Sequence, residues 1–360
     1  MFKFVNEKIK ENSHIMKKHF IVIVLAFLWM VSLLNAQTVG EPFTTGKRYS
    51  VIIDNDFMGD PDGLFQLAHH VLSPSCDIKG IIGAHLNGNG RGFFANLQGK
   101  DEAEMSVNKV NEFLEVMGVQ GQFKVVPGAP VKMTDPTKPV ESEGARLIVE
   151  EALKATPQRP LYVCVGGPLT DIASAWLMNP EIGKNIILIW IGGQEYQETG
   201  AIVPPGYSMP EYNLNLSIAA ARTIFNQSDI RIWQIPRDVY RQCMYSMTEL
   251  DVKVRPFGKL GAYLYDSLAA MMVGRNGRSM GETYILGDSP LVLMTALQSN
   301  FETDPSSSHY QYVTIPTIAE DGSYRYTHNG RQIRVYDRID TRLMFSDMEA
   351  KIEAFAKKQK

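Results

Sequence analysis

Residues 51–63 read VIIDNDFMGDPDG, a short apolar run followed by four closely spaced aspartates. The β-branched residues before Asp54 predict a buried strand, and the apolar periodicity after Asp62 predicts a helix. The aspartates therefore lie in a strand-to-helix turn. Like charges this close repel one another, so the cluster is costly unless a cation neutralises it.

Similar strand and helix units continue along the chain. Strands are predicted at Tyr49 to Asp54, Ile78 to Ala84, Phe123 to Val126, Leu161 to Val165, Ile186 to Ile191 and Ile230 to Gln234. Helices are predicted at Leu64 to Leu72, Glu102 to Met117, Glu143 to Ala155, Leu169 to Met178 and Ser217 to Phe225. This alternation predicts an α/β fold with a mostly parallel central sheet and helices on both faces. The mixed region after Phe301 is predicted to be peripheral.

Polar and glycine-rich turns follow the predicted strands. They read Asp54-Asn55-Asp56, Gly83-Ala84-His85, Pro127-Gly128, Gly166-Gly167-Pro168 and Gly192-Gly193-Gln194. Sheets of this class bind ligands beyond the carboxyl ends of their strands. We therefore expect the ligand site at this edge of the sheet.

The acidic turn offers only oxygen ligands, which favours Ca²⁺ or Mg²⁺ over a softer metal. Two other interpretations compete with a metal site. Asp60 or Asp62 could cap the following helix, but capping explains one or two carboxylates and not four. A phosphatase of the haloacid dehalogenase type also begins with Asp-x-Asp after its first strand. Its remaining Ser/Thr, Lys and acidic positions have no convincing counterparts in this sequence.

The bulk composition narrows the class of partner. The chain has 360 residues and a formal net charge of -3, with its basic residues spread along the sequence. It therefore lacks the basic stripe that binds a nucleic acid polymer. Cys76, Cys164 and Cys243 have neither zinc-site nor disulfide-framework spacing, and Cys164 is expected in the core.

The N-terminus has the pattern of a signal peptide. Lys17 and Lys18 precede an apolar run from Phe20 to Leu34, and Ala36 offers a small residue for cleavage. We expect residues 1–36 to be removed, with Met16 as a possible start, and residues 37–360 to form a single exported domain. Its location would be periplasmic or extracellular, without stable membrane insertion. The alternative is an uncleaved N-terminal anchor.

Five motifs, in order, resemble those of the inosine-uridine-preferring nucleoside hydrolase family. The acidic turn resembles the Asp-Thr-Asp opening of that family, which leads into paired aspartates. Gly166 to Ala173 is similar to the family's Gly-Pro-Leu-Thr-Asn-x-Ala turn, and Ile191 to Gly193 is similar to its Met-Gly-Gly strand end. Glu211 to Asn213 is similar to its Glu-Phe-Asn, and Gly287 to Leu291 is similar to its late His-Asp segment. The match covers about residues 50 to 300, and five ordered motifs are far more specific than one.

The resemblance implies hydrolysis of the N-glycosidic bond of ribonucleosides, with Ca²⁺ at the bottom of the pocket. Asp56 would bind the metal and act as the general base on water. Carried over by position, the metal ligands are Asp56, Asp62, Gly166 through its carbonyl, and Asp288. The residues expected to bind substrate are Asp60, Asn87, Glu211 and Asn213. The family also implies a homo-oligomer.

The sequence departs from the family pattern at two places. The paired aspartates are not adjacent: either Asp62 is the first and Gly63 replaces the second, or Asp60 and Asp62 together fill both roles. Gly287 stands where many members have a histidine near the leaving base. A catalytically inactive module that binds Ca²⁺ and sugar therefore remains an alternative to the enzyme.

Several nearby residues have a less specific signal. Asp54 could be a buried residue that orients the loop by hydrogen bonds, and His85 and Asn89 could approach the pocket. The segment Glu195 to Met209 is long enough for an active-site lid. Its Tyr196 or Tyr207 could stack on a base, although loop aromatics are common.

Overall fold

A computed structural model describes residues 46–86, 101–201, 203, 205–207, 210–273 and 279–359. Both the predicted signal peptide and the predicted sugar contact Asn87, with Asn89, lie outside these residues. The described residues belong to one compact unit, Thr45–Lys360. Among them, no helix is both long and apolar enough to cross a bilayer.

The described part of the chain contains twelve short strands. They are β1 Tyr49–Asn55, β2 Cys76–Gly83, β3 Val125–Pro127, β4 Leu161–Val165, β5 Ile186–Ile191, β6 Arg231–Ile235, β7 Met244–Ser246, β8 Thr283–Ile285, β9 His309–Thr314, β10 Thr317–Ile318, β11 Tyr324–Arg325 and β12 Gln332–Arg338. The six strands predicted from the sequence are all present, with ends that differ by one or two residues.

Eleven α-helical segments connect and cover these strands in the described part of the chain. They are α1 Asp62–Val71, α2 Glu102–Val116, α3 Glu143–Lys154, α4 Thr170–Met178, α5 Tyr212–Leu216, α6 Ile218–Asn226, α7 Arg237–Tyr240, α8 Met247–Lys253, α9 Gly258–Val273, α10 Pro290–Leu293 and α11 Thr341–Lys358. The five predicted helices are confirmed, whereas the long helix α9 was not predicted.

Eight strands form the central sheet in the order β3-β2-β1-β4-β5-β6-β12-β9. All neighbouring pairs are parallel except β12 with β9, which is antiparallel at the edge. The α/β fold class predicted from the sequence is therefore confirmed. Two small antiparallel pairs, β7 with β8 and β10 with β11, lie outside this sheet.

Both faces of the sheet are buried. Successive side chains of a strand point to opposite faces, so each strand contributes to both apolar clusters. On β1, Val51 and Ile53 belong to one apolar cluster and Ile52 belongs to the other. The first cluster also holds Phe65 of α1 and Phe113 of α2. This two-sided burial explains why the strands read as continuous apolar runs.

The strand order reverses between β1 and β4. From β1 the chain proceeds to β2 and β3 on one side, and from β4 it proceeds to β5 and β6 on the other. The carboxyl ends of β1 and β4 therefore diverge into separate loops and leave a crevice between them, where sheets of this class bind ligands. The acidic turn follows β1 and Gly166 follows β4 at this point.

The prediction that the region after Phe301 is peripheral was wrong. Strand β12 pairs in parallel with β6 and lies between β6 and β9 in the central sheet. Its Ile333, Val335 and Tyr336 are buried in the two apolar clusters. The interior position of β12 was not predictable because the strand lies near the C-terminus, after a long mixed stretch that gives no sign of its place in the sheet.

Because β12 is an interior strand, truncating one of its core side chains should destabilise the whole domain. We expect Ile333→Ala to lower the free energy of unfolding by about 2 to 5 kcal/mol, as for other buried aliphatic side chains. Val252→Ala on the exposed face of α8, where the side chain is 64% exposed, is the control. Urea unfolding measures both, and equal midpoints for the two variants would contradict an interior position for β12.

Candidate active site

One cavity opens at the crevice between β1 and β4 and has a volume of about 520 Å³. It combines an acidic floor with a wall of tyrosines, methionines and isoleucines. The described residues that line it are Asp56, Asp60, Asp62, Gly166, Ile191, Glu211, Tyr212, Asn213, Tyr240, Met244, Met271, Met280, Thr283, Tyr284, Ile285, Gly287 and Asp288. It thus brings together all the predicted site residues that the structure describes, since Asn87 lies outside the described residues.

The turn after β1 places Asp56 at the floor of the cavity. The backbone N–H of Asp56 donates to Oδ1 of Asn55 at 2.8 Å, and the Gly59 N–H donates to the Asp56 carbonyl at 2.6 Å. These two bonds close a tight turn directly after the buried strand. The backbone of Asp56 is therefore held at the point where β1 ends, and its carboxyl lines the cavity.

Asp288 joins this floor from a distant part of the chain, just before α10. Its Oδ2 accepts a hydrogen bond from Nδ2 of Asn55 at 2.9 Å, and its backbone N–H donates to Oδ2 of Asp62 at 3.2 Å. Asp60 accepts a hydrogen bond from the hydroxyl of Tyr284 on β8. The acidic turn and the Asp288 segment are therefore tied together by direct contacts.

Asp60 and Asp62 both line the cavity, although they are not adjacent in the chain. The N-cap residue of α1 is Pro61, and no side chain makes a capping hydrogen bond there. Helix capping therefore does not account for either carboxylate. Because both carboxylates face the cavity, either alignment of the family's adjacent aspartates is compatible with the structure.

Burial raises the pKa of three carboxyls of the floor, those of Asp56, Asp62 and Asp288, above the ordinary range. For Asp56 and Asp62, desolvation is the largest cause, and the nearby charge of Asp288 raises the pKa further. Burial also raises the pKa of Asp288, against the hydrogen bond from Asn55, which lowers it. Without a neutralising cation, the floor of the cavity therefore favours protonated carboxyls.

Asp54 lies beneath this floor and is completely buried. Within the described residues, neither of its carboxyl oxygens has a hydrogen-bond partner, and burial followed by repulsion from Asp171 raises its pKa well above normal. Its backbone carbonyl accepts from the Gly166 N–H at 3.0 Å. The interpretation of Asp54 as buried is thus correct, but its side chain does not orient the loop through hydrogen bonds.

The opposite wall comes from the ends of β4 and β5. Nδ2 of Asn213 donates to the Gly166 carbonyl at 3.2 Å and to the Ile191 carbonyl at 2.8 Å. Both amide hydrogens of Asn213 are therefore engaged, which leaves Oδ1 as the atom able to accept from a ligand. The Gly166 carbonyl accepts one bond and retains a second lone pair.

Glu211 is held from three directions. Its Oε2 accepts from the Gly193 N–H at 2.8 Å and from the Leu214 N–H at 3.0 Å, which caps α5, and its Oε1 accepts from the Tyr240 hydroxyl at 2.9 Å. Burial raises its pKa, while the backbone hydrogen bonds oppose the rise. Glu211 is thus a structural cap as well as a cavity residue.

The donor chemistry of the cavity fits a hard cation. Its floor offers carboxylate oxygens and the Gly166 carbonyl, which are the ligands that Ca²⁺ prefers. No Lys, Arg or His is among the described lining residues, and none of the four lining aspartates has an ion-pair partner in that part of the chain. The four aspartates face one cavity, but no three acidic, His or Cys side chains of the described residues are already arranged to hold a metal ion.

Two residues considered from the sequence are excluded from the cavity. Tyr196 is only 1% exposed, donates to Gln234 and packs on Tyr324 and Tyr326, so it cannot stack on a ligand. His85 is buried against Thr170 and does not line the cavity. Burial lowers the pKa of His85 to about 4, which keeps the ring neutral.

The predicted lid segment is anchored at both described ends. Glu195 forms a buried bidentate ion pair with Arg237 of α7, at 2.6 and 2.7 Å. The ring of Tyr207 lies 4.8 Å from the Arg237 guanidinium and 4.6 Å from that of Arg241. Tyr207 is therefore stacked on arginines, and closure of this segment over a ligand stays a prediction.

Sequence reasoning missed the apolar wall of the cavity. Its members come from α7, α9, the β7–β8 pair and the loop before β8, and they are Tyr240, Met244, Met271, Met280, Tyr284 and Ile285. These residues form no motif, because they meet only when the β7–β8 pair and α9 fold over the acidic turn. The one available signal was Tyr212, which stands between Glu211 and Asn213.

Comparison with known proteins gives a consistent picture. The family model for inosine-uridine preferring nucleoside hydrolase matches residues 51–346. Among solved structures, a purine-preferring ribonucleoside hydrolase from Gardnerella vaginalis has 18% identity and a TM-score of 0.66, covering 86% of this chain and 99% of its own. A plant nucleoside hydrolase has 17% identity and a TM-score of 0.65, covering 85% and 99%. An inosine-uridine preferring nucleoside hydrolase from Bacillus anthracis has 14% identity and a TM-score of 0.61, covering 85% and 99%.

At these identities, the solved structures establish the shared fold and nothing finer. They are similar to the chain over nearly their whole length, so the architecture around the cavity is common to all of them. No curated protein matches the sequence. The match of the family model, which spans most of the chain, is therefore the finding that bears on classification.

The raised pKa values of the floor carboxyls predict how stability depends on pH. A carboxyl whose pKa is raised by folding stabilises the fold fully below its unfolded pKa, and this contribution is lost as the pH rises through the folded pKa. With a chelator present, the thermal midpoint should fall between about pH 5 and about pH 8. In Asp62→Asn this fall should be smaller, because one buried charge is gone.

The control is Asp251→Asn, at an exposed aspartate of α8 that does not line the cavity. It should keep the pH dependence of the parent protein. A midpoint that rises over this pH range, or an equal fall in Asp62→Asn and the parent, would contradict the electrostatic account of the cavity.

Proposed function

The chain belongs to the inosine-uridine preferring nucleoside hydrolase family and is a nucleoside N-glycosyl hydrolase, and from this premise we propose a Ca²⁺-dependent reaction in which Asp56 activates water. The observation that carries the proposal is the meeting of Asp56, Asp288 and the Gly166 carbonyl in one cavity. These groups come from three distant parts of the chain, and folding brings them together at the strand-order reversal.

Cation binding would use Asp56, Asp62, Asp288 and the Gly166 carbonyl. When bound, Ca²⁺ supplies positive charge that keeps the carboxylates ionised and lowers the pKa of a nearby water molecule. The proposal is supported by the carboxyls of Asp56, Asp62 and Asp288, whose pKa values are raised first by burial and then by repulsion from neighbouring carboxyls. An oxygen-only ligand set also favours Ca²⁺ over a transition metal.

Asp56 is proposed as the general base. It is fixed by backbone bonds at the floor of the cavity, so its carboxylate can accept a proton from a water molecule beside it. Cleavage of the bond between C1′ and the base builds positive charge on the ribose ring. The surrounding carboxylates of Asp60, Asp62 and Asp288 stabilise that charge.

Asn213 and Glu211 are proposed to hold the ribose. Asn213 has both amide hydrogens engaged by carbonyls, so its Oδ1 is directed to accept from a sugar hydroxyl. Glu211 lines the same cavity, and its Oε1, which accepts from the Tyr240 hydroxyl, is proposed to accept from a second sugar hydroxyl as well. Asp60 is the third proposed sugar contact, and Asn87 stays a prediction. Fixing the sugar in this way positions C1′ for attack.

The proposal is tested by measuring ribose release from inosine, adenosine, uridine and cytidine, with Ca²⁺ or with chelator. We expect turnover only with Ca²⁺, and a loss in kcat of at least about 100-fold in Asp56→Asn because the base is removed. Asp251→Asn on α8 is the control for the same chemical change and should keep full activity.

Three outcomes would contradict the proposal. Nucleoside binding without ribose release would favour a binding module of the same fold. Cleavage of a generic phosphate ester with Mg²⁺ alone would favour a phosphatase. Full turnover in the presence of chelator would show that hydrolysis does not require Ca²⁺.

We also propose that the protein is exported, because Lys17, Lys18 and the apolar run up to Leu34 precede a small residue at Ala36. The full-length chain expressed in a bacterium with a periplasm should appear in the periplasmic fraction with Gln37 as its first residue. An intact N-terminus on membrane-bound protein would instead indicate an uncleaved anchor.

A further inference from the structure

Asn55 is buried next to the acidic floor of the cavity, where its side chain contacts Asp56, Gln66 and Asp288. Its side chain is completely buried. Its Nδ2 donates to Asp288 at 2.9 Å and lies 3.4 Å from Oε1 of Gln66, while its Oδ1 accepts from the Asp56 N–H at 2.8 Å. One carboxamide therefore links the turn that carries Asp56 to the segment that carries Asp288.

The space around this carboxamide leaves no room for a side chain at Gly166, and at Gly63 a side chain would require Asn55 to shift. A Cβ at Gly63 would lie 3.0 Å from Nδ2 of Asn55, and a Cβ at Gly166 would lie 2.5 Å from the same atom. Asn55 cannot easily move away, because its bonds to Asp56 and Asp288 hold it on both sides. The glycines at 63 and 166 are thus explained by the position of Asn55.

Gly63 is the more informative of the two glycines because it lies in helix α1, where no positive φ requires it. Glycine is intrinsically unfavourable inside a helix compared with alanine. Position 63 is also one of the two places where the second aspartate of the resembled motif would fall. The glycine at 63 therefore costs helix stability. It is explained by Asn55, whose carboxamide occupies the space that a side chain at 63 would need.

We propose that Asn55 is a positioning residue for the acidic site, because its carboxamide orients Asp288. Asn55 and Gly63 also form a coupled pair, in which the carboxamide takes the space of a side chain at 63. Where an acidic side chain at 63 would lie, the carboxamide of Asn55 supplies a hydrogen-bond donor instead. This changes the electrostatics of the floor, since the N–H of a carboxamide offsets charge where a further carboxylate would add to it. The positioning role rests on the function proposed above, and the coupling does not.

The first test is the affinity of the cation-free protein for Ca²⁺, measured by titration calorimetry. Asn55→Ala removes the donor to Asp288, and we expect the Kd for Ca²⁺ to rise by about 10- to 100-fold, as is typical when a residue that orients a metal ligand is lost. The Ca²⁺ concentration for half-maximal ribose release should rise in parallel, and saturating Ca²⁺ should restore part of kcat. A merely structural role would not produce recovery by Ca²⁺.

The matched control is Asn226→Ala. Asn226 also uses its carboxamide twice, donating to the Ile318 carbonyl at 2.9 Å and accepting from the Ile318 N–H at 2.8 Å, and it does not line the cavity. This variant loses the same chemical group and two hydrogen bonds but should keep the parent Kd for Ca²⁺. An unchanged Kd in folded Asn55→Ala, or an equal change in both variants, would overturn the positioning role.

The second test is a mutant cycle on thermal unfolding without Ca²⁺. Gly63→Ala should lower the thermal midpoint in the parent background, because the new Cβ meets Asn55. In Asn55→Ser, whose side chain is shorter, the same change should be neutral or should raise the midpoint, as expected for alanine in a helix. An identical effect of Gly63→Ala in both backgrounds would overturn the coupling.

The two tests separate failure of this inference from failure of the proposed function. If the parent protein neither binds Ca²⁺ nor releases ribose, both the function and the positioning role are overturned. The cation-free cycle then still decides the coupling, because its readout is stability alone. If the parent binds Ca²⁺ and the cycle shows no coupling, the function stands and the pairing of Asn55 with Gly63 is wrong.

Discussion

Repulsion among buried carboxylates is the constraint around which this site is organised. Asp56, Asp62 and Asp288 are withdrawn from water at the carboxyl ends of β1 and β4, and no basic residue of the described chain pairs with them. Desolvation and mutual repulsion both oppose their ionisation. A fold retains such a cluster at a cost to its own stability, which is common where strain serves binding or catalysis.

The surrounding structure limits this cost with neutral hydrogen-bond donors. Asn55 donates to Asp288, the Asp288 N–H donates to Asp62, and the Tyr284 hydroxyl donates to Asp60. Each donor orients a carboxyl without cancelling its charge, so the negative potential of the cavity is kept for a ligand. On the opposite wall, Tyr240 of α7 plays the same part for Glu211.

The fold was predictable from the sequence because its strands are buried on both faces and read as unbroken apolar runs. The cavity floor was also predictable, since Asp56, Asp60, Asp62 and Asp288 stand in ordered motifs next to strand or helix ends. Strand β12 was misplaced because nothing local marks it as an interior strand. Helix α9 was missed because Gly258 and Gly261, close to its start, are residues that usually interrupt helices.

The apolar wall and the role of Asn55 were beyond sequence reasoning for a different reason. Tyr284 and Met244 belong to the cavity only because the β7–β8 pair folds over the acidic turn. Asn55 stands between two aspartates in the sequence and has no signal of its own, and only the distances from Gly63 and Gly166 show how tightly its carboxamide is enclosed. Both features depend on contacts between residues that are far apart in the chain or on opposite sides of a turn.

The central claim is that the buried carboxylates share one hard cation. It is tested most directly by a crystal structure of the protein grown with Ca²⁺, in which the ion is located by its anomalous signal. The account predicts a single ion in the cavity, about 2.3 to 2.6 Å from oxygens of both Asp56 and Asp288. A cavity that holds no ion at saturating Ca²⁺, or an ion bound by only one of these two aspartates, would contradict it.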